Sequence, residues 1–250
     1  MDLSIWIYTL ASVIIVSLIS LIGIATLSIN TKKLKHFLIY LIAFSAGALF
    51  GDAFLHLLPE LAEESGLTLM TSFSVLLGIV LFFSLEKLVY WQHCHMPITK
   101  EHTHTFATMN LVGDSLHNFL DGIIIGASYL INIPAGIATT IAVALHEIPQ
   151  EIGDFGVLIH GGFTKTRAIM VNFATALTSI LGAVFAITAT NYIKNIELFL
   201  IPIAIGGFIY IAGSDLIPEL HKNFGIRKSF LQLIAFIAGI GVMALLLLLE

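Results

Sequence analysis

Charge is scarce in this chain. Asp, Glu, Lys and Arg together make up 11% of its 250 residues, whereas soluble domains carry roughly a quarter. That shortage excludes an ordinary soluble domain. Cysteine is nearly absent as well. Cys94 stands alone, which rules out an intramolecular disulfide and a thiolate cluster. What the chain has instead is apolar length: 58% of its residues are hydrophobic and its mean hydropathy is +0.99. The runs are too long for barrel strands, so the expected fold is an all-α polytopic membrane protein.

Eight apolar stretches can be drawn, at about 5–29, 36–58, 67–90, 106–130, 133–160, 166–190, 196–218 and 229–249, each meeting the ~20 residues a bilayer crossing requires. The first lacks a basic flank and a small-residue cleavage site, so it is read as a span and not a signal peptide. No linker marks a second domain, and residues 1–250 are read as one transmembrane domain with a His-containing loop at about 91–105.

Basic residues orient the bundle. With the amino terminus outside, ten of the eleven Lys and Arg fall on the cytoplasmic side and only Lys194 falls outside. Eight spans return the carboxyl terminus to the outside. A plasma membrane location with both termini extracellular is the expectation. HLLPEL (His56 to Leu61) and DLIPEL (Asp215 to Leu220) close helices 2 and 7, which run in opposite directions. An inverted repeat of helices 1–3 against 6–8, around helices 4 and 5, would produce this, and so would a common Pro-Glu helix terminator.

The chemistry lies in the middle of helices 4 and 5. There Asp114, His117, Asp121, His146, Glu147, Glu151 and Asp154 sit in segments without any Lys or Arg. Ionisable groups at that depth are costly unless they are paired, hydrated or bound to an ion. A divalent cation is the simplest neutralising partner. His117 and Asp121 are four residues apart, as are His146 and Gln150, and as are Asp52 and His56 in helix 2. That spacing places an imidazole and an oxygen donor on one helical face. His117 and His146 fall near the membrane midplane, where secondary transporters hold substrate. Asp52 and His56 lie nearer the outer end. A lone membrane histidine such as His56 is equally well explained by an interhelical hydrogen bond. Asn118 follows His117 by one residue and so faces about 100° away. Pro149 should free the carbonyl of Leu145 and kink helix 5.

The segment HCHMPITKEHTH offers His93, Cys94, His95, His102 and His104. Their spacing is not that of a structural zinc finger. A cytoplasmic loop that senses or receives metal fits better.

These segments resemble the ZIP (Zrt/Irt-like) family of metal transporters. HNFLDG (His117 to Gly122) is similar to the family's helix-4 signature, HEIPQEIGDF (His146 to Phe155) to its helix-5 signature, and GDAFLHLLPEL (Gly51 to Leu61) to its helix 2. The resemblance implies import of zinc, iron, manganese or cadmium into the cytoplasm, the metal being substrate and no cofactor being needed. It implies a primary site of His117, Asp121, His146 and Gln150. Asn118 and Glu147 take secondary-site positions, and Asp52 and His56 guide metal at the outer entrance. Two residues depart from the pattern. Gln150 replaces a common Glu or His, and Ser179 in ATALTSILGA falls where a helix-6 carboxylate is found in prokaryotic members; Glu151 stands where many members have Gly, in keeping with the branch whose helix-5 signature this chain resembles. One tight metal is therefore expected, and not a binuclear pair. The expected partners are the divalent ion and the lipid bilayer, with a homodimer as a possible assembly and no nucleic acid.

Two competing readings remain: an intramembrane zinc hydrolase and a metal sensor without transport. HEIPQ begins like the HExxH of metalloproteases, but Gln150 stands in place of the second histidine and Pro149 distorts the turn. The expectation is a transporter and not an enzyme.

Overall fold

The computed structural model describes residues 3–22, 31–91, 100–221 and 225–249. Among these residues there are eight helical rods and no strand. We number them α1 (Leu3–Ile19), α2 (31–65), α3 (Leu69–Trp91), α4 (Lys100–Ile131), α5 (Ile133–His160), α6 (Lys165–Ala189), α7 (Glu197–His221) and α8 (226–249).

Five of these, within α2, α3, α6, α7 and α8, are long and apolar enough to cross a membrane; α1 is apolar but shorter, at 17 residues. The helices α4 and α5 have 32 and 28 residues, ample for a bilayer of ~30 Å at ~1.5 Å per residue. They fall short on apolarity, because the acids and histidines of the candidate site interrupt them. One boundary differs from expectation. The helix α4 begins at Lys100, not near residue 106, so His102 and His104 stand on its first turns. His93, Cys94 and His95 lie outside the described residues.

The helices pair as an inverted repeat requires. Exchanging helices 1–3 with 6–8, and helix 4 with 5, turns the α2–α8 contact into α7–α3 and the α2–α5 contact into α7–α4. All four contacts are present. Glycines set the closest approaches. A Cβ on Gly47 would collide with the carbonyl of Phe236, and one on Gly239 with that of Phe44, so α2 and α8 touch backbone to backbone. Gly78 and Gly206 do the same for α3 and α7, the symmetry-related pair.

The repeat extends to local geometry. Residues Asp52–Leu57 of α2 and Ile211–Leu216 of α7 each form a widened π-type turn. The amide of Leu58 donates to the Ala53 carbonyl, and that of Ile217 to the Ala212 carbonyl, five residues back in each case. Pro59 and Pro218 follow immediately. A proline inside a helix removes one N–H and crowds the carbonyl four residues earlier, and a wider turn relieves that crowding. The two similar hexapeptides therefore build the same distortion in both halves.

Candidate metal centre

Asn132 joins α4 to α5 alone. Its side-chain oxygen accepts from the amide of Ala135 at 2.7 Å and caps α5, while its Nδ2 donates to Glu60 of α2 at 2.6 Å. This tight hairpin lays the central faces of α4 and α5 against each other, bringing the two signatures into register.

There, four side chains converge. His117, Asp121, His146 and Glu147 each offer one donor atom, and the four atoms lie within 4.8 Å of one another. The two Nε2 atoms are 3.2 Å apart. His117 Nε2 lies 3.6 Å from Asp121 Oδ2 and 3.3 Å from Glu147 Oε1. His146 Nε2 lies 3.3 Å and 3.5 Å from the same two oxygens. Asp121 and His146 are fully buried and Glu147 nearly so. No hydrogen-bond partner reaches Asp121 Oδ1, Asp121 Oδ2 or Glu147 Oε1 among the described residues. Bare carboxylate oxygens at such depth are expensive. The surroundings fix the ligands in place. His146 Nδ1 is 3.3 Å from the carbonyl of Ala142, and a proton donated there leaves the Nε2 lone pair facing the cluster.

Pro149 acts as expected in one respect. The carbonyl of Leu145, four residues before it, is not left bare: Ser45 Oγ of α2 donates to it at 2.6 Å. The helix remains continuous from Ile133 to His160.

A cavity of about 230 Å³ adjoins the cluster, lined by Glu86, Asp114, His117, Gln150, Asp154 and Tyr210 among others. Of the four donors only His117 borders it, with 16% of its side chain exposed. Gln150 lines the cavity wall together with His117, and Glu147 is one of the four converging donors. Asn118 is buried and turned to Asp114, donating to its Oδ1 at 2.8 Å. Glu151 is buried and accepts a short hydrogen bond from Asn172 of α6. Asp52 and His56 are buried in the π-type turn of α2, outside the cluster, and His56 Nε2 lies 2.9 Å from the carbonyl of Met243 in α8. That contact is the interhelical hydrogen bond a lone histidine makes. Ser179 is drawn to α1: its Oγ lies 3.0 Å from Ser17 Oγ and donates to the Ala176 carbonyl at 2.8 Å.

Several polar partners carried no sequence signal. Thr175 holds Asp114 Oδ2 at 2.5 Å, Asn172 holds Glu151, and Glu86 accepts a short hydrogen bond from Tyr210. Each is a single neutral or ordinary side chain whose partner lies on another helix. Only an unpaired acid opposite would have pointed to it.

The paired signatures and their convergence lead to a comparison with known proteins. The sequence profile described as ZIP Zinc transporter matches residues 3–108 and 92–247. The chain belongs to the ZIP zinc transporter family. Among its relatives in that family, the zinc transporter zipt-7.1 of Caenorhabditis briggsae is 31% identical, over 99% of this chain and 80% of the relative. The zinc transporter ZIP13 of Pongo abelii is 35% identical, over 82% of this chain and 65% of the relative. The zinc transporter YKE4 of Saccharomyces cerevisiae is 32% identical, over 82% and 69%. As a ZIP family member the chain is a multi-pass membrane transporter with a metal ion as substrate.

Proposed function

We propose that this chain imports zinc into the cytoplasm, binding it between α4 and α5 through His117, Asp121, His146 and Glu147. The donor spacing carries this reading. Four ligands at the corners of a tetrahedron, each ~2.0–2.2 Å from zinc, stand roughly 3.3–3.6 Å from one another. Five of the six separations run from 3.2 to 3.6 Å, and none exceeds 4.8 Å. Two imidazoles and two carboxylates in that arrangement favour zinc over Mg²⁺ or Ca²⁺, which take six or more oxygens. Four protein donors also leave no open position for an activated water, which a hydrolytic zinc site needs. The names of the curated relatives support the same metal.

In this reading an arriving ion exchanges water for the four side chains and leaves through the cavity beside His117. Asp114, Gln150 and Asp154 line that route. Asn118 and Glu151 support it from behind, through Asp114 and Asn172. Asp52 and His56 belong to the approach from α2. We place both termini outside and the 91–100 connection in the cytoplasm of a plasma-membrane protein, on the distribution of Lys and Arg. Gln150, neutral, and Ser179, engaged with α1, support a single tight ion. A homodimer is compatible with this scheme.

The test is uptake of radioactive zinc into proteoliposomes containing the purified chain, with manganese, iron and magnesium as competitors. Saturable zinc uptake, blocked by His146→Ala and not by magnesium, is expected. Binding without uptake, or equal competition by magnesium, overturns the reading.

A further inference from the structure

A second cavity, of about 400 Å³, lies between the end of α7 and the start of α8. It shares no residue with the cavity beside His117. Ile217, Leu220, Leu233 and Phe236 give it an apolar wall; His221, Ser229 and Gln232 give it a polar one. Gln232 is the residue that calls for an occupant. It is only 7% exposed, yet its Nε2 has no hydrogen-bond partner among the described residues. A buried amide donor left unpaired is costly, so a ligand acceptor there would be favourable.

The start of α8, one turn before the cavity-lining Ser229, favours negative charge. The first residue of α8 is Ile226, and Gly225 before it supplies no side-chain cap. The first amides of a 21-residue helix, which take no cap from Gly225, and the positive end of its dipole suit an anion. Arg227 is exposed and Lys228 half-buried beside them. Residues 220–233 hold Lys222, Arg227 and Lys228 and no acid; Glu219 precedes them and is exposed. Beyond this start the surroundings belong to lipid. Phe230, Leu233, Ile234 and Ile237 are each about half exposed or more along α8.

We propose that this cavity is a binding site for one anionic phospholipid. The phosphate sits at the start of α8 near Ser229, Arg227 and Lys228. Gln232 donates to a glycerol-ester carbonyl, and one acyl chain follows Leu220, Leu233 and Phe236. A free phosphate would satisfy the start of α8 but leave the apolar wall and Gln232 unused. Basic pockets between transmembrane helices on the cytoplasmic side are suited to such headgroups, and this end of α7 and α8 is the side richest in Lys and Arg.

The experiment is native mass spectrometry of the full chain titrated with phosphatidylglycerol or phosphatidylcholine of identical acyl chains, with inorganic phosphate as competitor. One phosphatidylglycerol should bind at least about tenfold more tightly than phosphatidylcholine, and phosphate should not displace it. Changing Arg227→Gln and Lys228→Gln together should weaken phosphatidylglycerol about thirtyfold and phosphatidylcholine little. Gln232→Leu should weaken both lipids alike, because the ester carbonyl is common to them. Equal binding of the two lipids by the unaltered protein overturns the proposal and requires no variant to fold. Displacement by inorganic phosphate overturns it too, in favour of a free-anion site. So does unchanged binding in both variants.

Discussion

The imidazoles of His117 and His146 meet edge to face, their planes 87° apart and their Nε2 atoms 3.2 Å from each other. Two ring nitrogens at that distance can share at most one proton. A cation between them, with Asp121 and Glu147 completing the shell, removes the conflict and neutralises both carboxylates at once. The following predictions start from that meeting point.

Replacing a ligand should stop transport without unfolding the protein. His117→Ala, Asp121→Ala, His146→Ala and Glu147→Ala should each lower zinc uptake by more than the roughly 10–100-fold typical of losing a group that only supports a ligand. Surface expression should persist. Glu147 is the decisive member, because its signature position alone does not place it in the main site. Near-normal uptake by Glu147→Ala would remove it from the shell and point to Gln150 instead.

Anomalous diffraction at the zinc edge should reveal one strong peak in the wild type. Two cations ~3.5–4 Å apart need a bridging anion, and Gln150 cannot be one. A second peak should appear only in Gln150→Glu. Two fully occupied sites in the wild type would refute the single-ion scheme.

Ser45 should matter to stability although it binds no metal. In Ser45→Ala the Leu145 carbonyl, already deprived of its usual helical donor by Pro149, loses the hydrogen bond from the Ser45 hydroxyl. The cost should be about 1–3 kcal/mol, seen as a lower Tm in detergent. Ser45→Thr, which restores a hydroxyl, should recover most of it. An unchanged Tm in Ser45→Ala would mean that water or another group satisfies that carbonyl.

Cys94 offers a direct check of orientation, being the only native thiol. A membrane-impermeant maleimide should leave it unlabelled in intact cells and label it after permeabilisation. Rapid labelling in intact cells would invert the proposed topology and, with it, the direction of transport.

Much of this arrangement could be read from the sequence, for identifiable reasons. The spacing of His117 and Asp121 fixed their shared face because a helix of known pitch leaves no choice. The repeat of HLLPEL in DLIPEL was visible, but the π-type turns were not, since the letters report a proline and not how the turn before it relaxes. The place of Glu147 beside both imidazoles was also hidden. Its signature position does not say that its oxygen comes within 3.3–3.5 Å of His117 and His146; that depends on how the hairpin at Asn132 packs α5 against α4. Thr175 and Asn172 were illegible because a neutral polar residue becomes informative only once its partner on another helix is known. The start of α4 was placed too late because its first turns are polar, and hydropathy marks where a helix enters lipid, not where it begins.

The uneven burial of the four donors sets an order of events in the proposed cycle. His117 alone borders the cavity, while Asp121, His146 and Glu147 are sealed behind it. Of the four donors His117 is the one that water in that cavity meets, so in the proposed cycle its bond is the first to break. The remaining three then loosen around an ion already partly hydrated. In that cycle ligand exchange is sequential and starts at His117, and a substitution that merely slows the swing of the His117 ring would lengthen residence time without altering the equilibrium preference for the metal.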